Sequence, residues 1–138
     1  MELVLSDHSR VIAGVMLITI VTIEFGGSFV TRLATNKLPA TGFQKTFARA
    51  GHGHAGMLVT LGLVGLLMAD AAGLSGVGGA VGRLGIPVAA ILIPAGFFVS
   101  SMGKGEVTRP NRWFGLVWAG AASLAAGVLT LGIGLLTA

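Results

Sequence analysis

Cysteine and tyrosine are absent from this chain, and charged residues are scarce. The lack of cysteine excludes disulfides, thiolate metal sites, iron–sulfur ligation and a cysteine nucleophile. Only 10% of the 138 residues are charged, against about 25% in soluble domains. A soluble domain of this size would not expose so few charges, and the apolar residues are spread over the whole length rather than gathered in one anchor. Enzymatic signatures are missing too: there is no Gly-x-Ser-x-Gly, no His-Glu-x-x-His, no P-loop and no pair of neighbouring carboxylates. The acidic N-terminus (Met-Glu-Leu-Val-Leu-Ser-Asp-His) lacks the basic region and small-residue cleavage site of a signal peptide, so the first apolar segment is expected to be retained.

What is present is hydrophobic. Residues of that class make up 54% of the chain, and 23 residues are glycine, which membrane helices use for close approach. Four apolar runs emerge, at about residues 10–32, 51–72, 86–102 and 113–137. Each is near the ~20 helical residues that a ~30 Å hydrocarbon core requires. The expectation is an all-α, polytopic membrane protein of one domain, four transmembrane helices in an up-down bundle. Asp7 or Ser9 would cap the first helix. Pro87 near the start of the third run is tolerated there, and the internal Pro94 predicts a kink near Ala90.

Lysine and arginine set the orientation. Of nine such residues, Arg32, Lys37, Lys45, Arg49, Lys104, Arg109 and Arg112 fall on one side, and only Arg10 and Arg83 on the other. Both basic loops are therefore expected in the cytoplasm and both termini outside, in a bacterial inner membrane. Trp113 and Trp118 fit an aromatic belt on the cytoplasmic side. The basic loops would meet anionic lipid, and their charge reports topology rather than nucleic-acid binding. Within them, residues 41–50 place Phe43 and Phe47 on one helical face and Lys45 and Arg49 on nearly the opposite one. This segment is either an interfacial helix or an extension of the second membrane helix. The glycine-rich stretch 73–85 reads as a flexible outer loop; it follows no strand, so a dinucleotide fingerprint is rejected. Ala119, Ser123, Gly127 and Gly134 form a small-residue packing stripe on the fourth helix, for use within the bundle or between protomers. A homo-oligomer or a larger membrane complex is expected.

Glu24 is the one ionisable residue well inside an apolar run, and such residues mark functional sites. It lies eight residues from Arg32, about 12 Å along a helix, so in the cytoplasmic half of the bilayer. Gly27, Ser28 and Thr31 continue its face toward the basic loop, while Val21, Ile20 and Leu17 close it on the other side. His52 and His54 open the second apolar run. Residues two apart on a helix point about 200° apart, so one histidine is expected to face Glu24, and depth favours His54. The positive end of the helix dipole there would disfavour imidazolium. The set Glu24, His54, His52, Ser28 and Thr31 would suit a proton or ion site in coupled transport of a small solute. Alternatively His52, His54 and Glu24 would ligate a divalent metal or haem, although no cofactor is required by the sequence, or the chain is a non-catalytic subunit. Met16, Met57 and Met68 are soft donors that in apolar helices usually serve packing. Asp70 and Glu106 sit at membrane edges and are expected to be solvated.

Residues 23–28, Ile-Glu-Phe-Gly-Gly-Ser, resemble the first helix of small multidrug-resistance transporters, which also carries one membrane glutamate. The later helices lack that family's aromatic and glycine motifs, and the chain is not placed in it. Residues 47–56, Phe-Ala-Arg-Ala-Gly-His-Gly-His-Ala-Gly, resemble uncharacterised small four-helix membrane proteins of bacteria. That resemblance implies a fold but no activity.

Overall fold

The computed structural model describes residues 4–138, so the first three residues of the acidic N-terminal stretch lie outside the described residues. Helix α1 spans Asp7–Ala34, α2 Gly42–Ala71, α3 Gly76–Ser100 and α4 Gly115–Thr137, with one 3-10 turn at Arg112–Phe114 leading into α4. All four long helices are long and apolar enough to cross a membrane. They form an all-α bundle in which each helix runs antiparallel to the next. The pairings make this plain: Met16 meets Gly62 and Gly27 meets His52 between α1 and α2, while Gly85 meets Gly127 and Gly96 meets Val117 between α3 and α4.

Local chemistry sets the helix ends. The cap of α1 lies one residue before the earlier of the two expected ones: it is Ser6, whose hydroxyl accepts from the Ser9 amide at 3.3 Å. α2 starts nine residues before its apolar run. Thr41 accepts from the Gln44 amide at 3.2 Å and the Gln44 side chain accepts from the Thr41 amide at 3.0 Å. That reciprocal capping box satisfies two otherwise orphaned donors. It settles residues 41–50 as an extension of the second helix. Phe43 and Phe47 do not face lipid alone: Phe47 packs on Phe97 of α3, ring centroids 5.3 Å apart, and on Phe114 at 5.8 Å.

The expected outer loop at 73–85 is not a loop, and this is the main correction to the boundaries. α2 ends in a left-handed Gly73, φ +60°. The Gly73 amide donates to the Asp70 carbonyl and the Leu74 amide to the Ala69 carbonyl, a Schellman termination that reverses the chain tightly. α3 then begins at Gly76, ten residues before its apolar run, and continues through Pro87 and Pro94. Three of the glycines that suggested flexibility, Gly79, Gly82 and Gly85, are contact points. A Cβ on Gly85 would stand 2.5 Å from the Gly127 Cα, and one on Gly82 would meet Leu74 and Leu131. Backbones can approach this closely only where both helices lack side chains.

The stripe on α4 packs inside the chain. Gly127 and Gly134 are buried, and the Ser123 hydroxyl donates to the Gly85 carbonyl at 2.9 Å. Ala119 is exposed, and its neighbour Gly120 takes the buried place against Ile93. The core sits among α2, α3 and α4, where Leu58, Ala89 and Ile93 form one cluster and Ala69, Ile86 and Leu131 another. α1 is attached differently. It packs chiefly on α2, through a cluster of Met16, Val59 and Leu66 flanked by Ile12 and Ile23. Only Ser9, Met16 and Leu33 of its 28 residues are buried.

Candidate functional site

Glu24 is exposed. Ile23, one residue before it, packs on the α2 cluster; one residue of helix turns the next side chain by about 100°, which brings Glu24 onto the open flank. Phe25 (78% exposed), Ile18 (74%) and Val21 (68%) share the uncovered surface of α1. Glu24 takes part in neither of the two ion pairs among the described residues. Among the described residues this carboxylate has gained no cation partner.

The expected polar track is present as a surface, not a cavity wall. Ser28 and Thr31 are exposed, and their hydroxyls donate to carbonyls of their own helix, Ser28 to Phe25 at 2.7 Å and Thr31 to Gly27 at 2.9 Å. Each oxygen keeps lone pairs that can still accept a proton donor or help to hold a cation.

The two histidines part company. His52 lies against α1, where a Cβ on Gly27 would come within 3.2 Å of its ring and one on Gly26 within 3.8 Å. The two glycines form a notch that admits the imidazole, two and three residues along the chain from Glu24. His54 is level with Glu24 in the antiparallel register, but its ring turns to α3 and stacks on Phe97 with centroids 5.2 Å apart. Its Nδ1 lies 2.7 Å from the Ala50 carbonyl. The reason is rotational, since residues two apart on a regular helix cannot share a face, and α2 is regular here despite Gly51 and Gly53. His52, not His54, is the histidine at the α1 surface. The helix dipole does not act on these histidines as expected: α2 starts at Gly42, so they lie about 15 Å or more inside the helix, beyond the first turn where the dipole acts.

This divergence bears on metal or haem. His52 and His54 rest on different neighbouring helices, and the described residues contain no group of three or more His, Cys, Asp or Glu placed to hold a metal ion. A second chain would have to complete any such set.

A second charged centre escaped the sequence reading. Asp70 is not solvated: its side chain is 11% exposed and that of Arg83 is 13% exposed, and Arg83 Nη2 donates to Asp70 Oδ1 at 2.6 Å. Ser6 donates to the same carboxylate from its hydroxyl and its amide, both at 2.9 Å. Arg83 also donates from Nε to the Ser9 hydroxyl at 3.1 Å and from Nη1 to the Leu74 carbonyl at 2.9 Å. This knot joins the start of α1, the end of α2 and the first turns of α3. The signal that could have found it was Arg83 within the glycine-rich stretch, once that stretch is read as helix. Its donors and acceptors are satisfied mutually, so it reads as a fastening rather than a reactive centre.

Between α1 and α3, over α2, a cleft of about 400 Å³ opens sideways, lined by Met16, Thr19, Ile23, Val59, Pro87 and Ile91 among others. Fold and site together define a polytopic helical bundle of membrane type with an ionisable residue on its least covered helix. Comparison with protein-family models, curated proteins and solved structures returned no match.

Proposed function

We propose that this chain is a multi-pass inner-membrane protein that carries out proton- or cation-coupled transport of a small solute as a homo-oligomer, with Glu24 as the titrating group. The observation that supports this reading is the position of Glu24: a carboxylate with no ion-pair partner among the described residues, on the open flank of a membrane-length helix. An intramembrane charge without a partner is strongly unfavourable in hydrocarbon, so the site is completed by a second copy, a cation or a proton. His52 in the Gly26–Gly27 notch is the neighbouring group that can exchange a proton, and Ser28 and Thr31 line the way to the basic loops, here placed in the cytoplasm with both termini outside.

Proteoliposomes loaded with a pH-sensitive dye test the reading. Glu24→Gln is expected to abolish proton or cation flux while the purified protein keeps its helix content and oligomeric size. Unchanged flux would remove the proposal. Because the native chain has no cysteine, a single Val21→Cys variant reports on the α1 face without background. Cross-linking to a dimer is expected. Cross-linking only to a different membrane protein would favour the accessory-subunit reading, which rests on the same uncovered face of α1.

A further inference from the structure

At the basic end of the bundle the structure holds a cleft of about 320 Å³ with an apolar lining from three helices and a loop: Phe29 and Leu33 of α1, Leu38, Ala48 of α2, Phe98 of α3 and Met102. A second pocket adjoins it, sharing Pro39, Ala40, Gln44 and Gly103 and adding Thr41 and Gly105. These walls are tied in place. The Thr41 hydroxyl donates to the Val107 carbonyl at 2.6 Å, Gln44 donates to the Ser101 carbonyl at 3.1 Å, and Lys45 bonds the Asn36 side chain.

The charge around this cleft is predominantly positive. Arg32, Lys37, Lys45, Arg49 and Lys104 are each the chain neighbour of a lining residue, namely Leu33, Leu38, Gln44, Ala48 and Gly103. Neighbouring Cα atoms are about 3.8 Å apart, so five cationic residues flank the cleft, and lysine and arginine stems are long and flexible enough to carry their charge toward its mouth. Segments 29–49 and 98–105, which frame the cleft, contain no acidic residue, and Glu106, next to Gly105 of the adjoining pocket, is the one carboxylate beside these five cations. An occupant must therefore be apolar along one part and anionic at its end. Clustered lysines and arginines beside a membrane helix attract anionic headgroups, and here an apolar slot lies directly beneath them.

We propose that this cleft is a binding site for one anionic phospholipid of the adjoining leaflet. The acyl chain lies against Phe29, Leu33 and Phe98, and the phosphate sits among Lys37, Lys45 and Lys104. The site is independent of Glu24 and does not require transport.

Native mass spectrometry of the purified full chain, equilibrated with equal amounts of phosphatidylglycerol and phosphatidylcholine in mild detergent, tests it. Retention of one phosphatidylglycerol over phosphatidylcholine is expected. Each removed charge near a membrane surface weakens binding about fivefold, so Lys37→Gln with Lys104→Gln should lower retention on the order of 25-fold. Ala40→Trp, which fills the wall shared by both pockets, should lower it with every cation kept. Arg109→Gln with Arg112→Gln removes equal charge from the same end at residues that adjoin no lining residue, and should leave retention within about twofold. Equal retention of the two lipids, or equal losses in the two charge-removal pairs, would overturn the proposal in favour of diffuse surface attraction. If the tryptophan variant fails to fold, the two charge-removal pairs still decide.

Discussion

Asp70 and Glu24 are both carboxylates on membrane-length helices, and their surroundings could hardly differ more. Asp70 sits where three segments converge and receives Arg83 and Ser6, with Ser9 joined through Arg83. Glu24 sits on the flank of α1, which touches chiefly α2, and takes no part in an ion pair among the described residues. The comparison separates two uses of charge in an apolar fold. A carboxylate whose every oxygen is occupied fastens helices together. One left open on a helix surface has its capacity to bind unspent within the chain.

The largest expected effect strikes the fastened carboxylate. Arg83→Met leaves Asp70 buried without its cation, and breaking one side of a buried pair destabilises by roughly 3–5 kcal/mol. Thermal unfolding in detergent should show a large fall, with Arg83→Met/Asp70→Asn recovering part of it because no lone charge remains. If the single and double variants unfold alike, the pair is not what holds these ends.

Next in size is the contact that lets α3 begin early. Gly85→Ala would bring a methyl to 2.5 Å from the Gly127 Cα, backbone against backbone, and overpacking of this kind destabilises by about 1–3 kcal/mol. Gly14→Ala on α1 meets nothing within 4 Å and should hold or slightly raise stability, since alanine is the better helix former. Similar melting behaviour for both variants would mean that the α3–α4 seam is looser than the structure has it.

Glu24→Gln should have the smallest effect on stability, within about 0.5 kcal/mol as for surface positions without partners, even as flux is lost. A large fall in melting temperature would show that Glu24 is a fastening like Asp70, made with another chain, and would erase the contrast between them.

Much of this arrangement was legible in advance. Four apolar runs of membrane length and the antiparallel order follow from residue type and spacing, whereas the small-residue stripe of Ala119, Ser123, Gly127 and Gly134 was visible without its partner, and Ala119 proves exposed. The helix starts were not legible from hydropathy, because α2 opens on a capping box of Thr41 and Gln44 and α3 on a glycine-rich segment, neither of them apolar enough to register. The histidines were half legible: helical rise makes His54 the deeper of the two and so favoured it as the partner of Glu24, but the rotation of α2 about its own axis decides which ring meets α1.

The sequence by itself determined that the chain forms membrane-length helices and where an ionisable residue falls within them, since burial in hydrocarbon is set by composition and every backbone group must find its partner within a helix. Only the tertiary structure decided which charge is paired and which is open. Pairing depends on the rotation and register of neighbouring helices, and in this chain glycine contacts set much of both: Gly85 on Gly127 draws α3 against α4, and the Gly26–Gly27 notch receives His52.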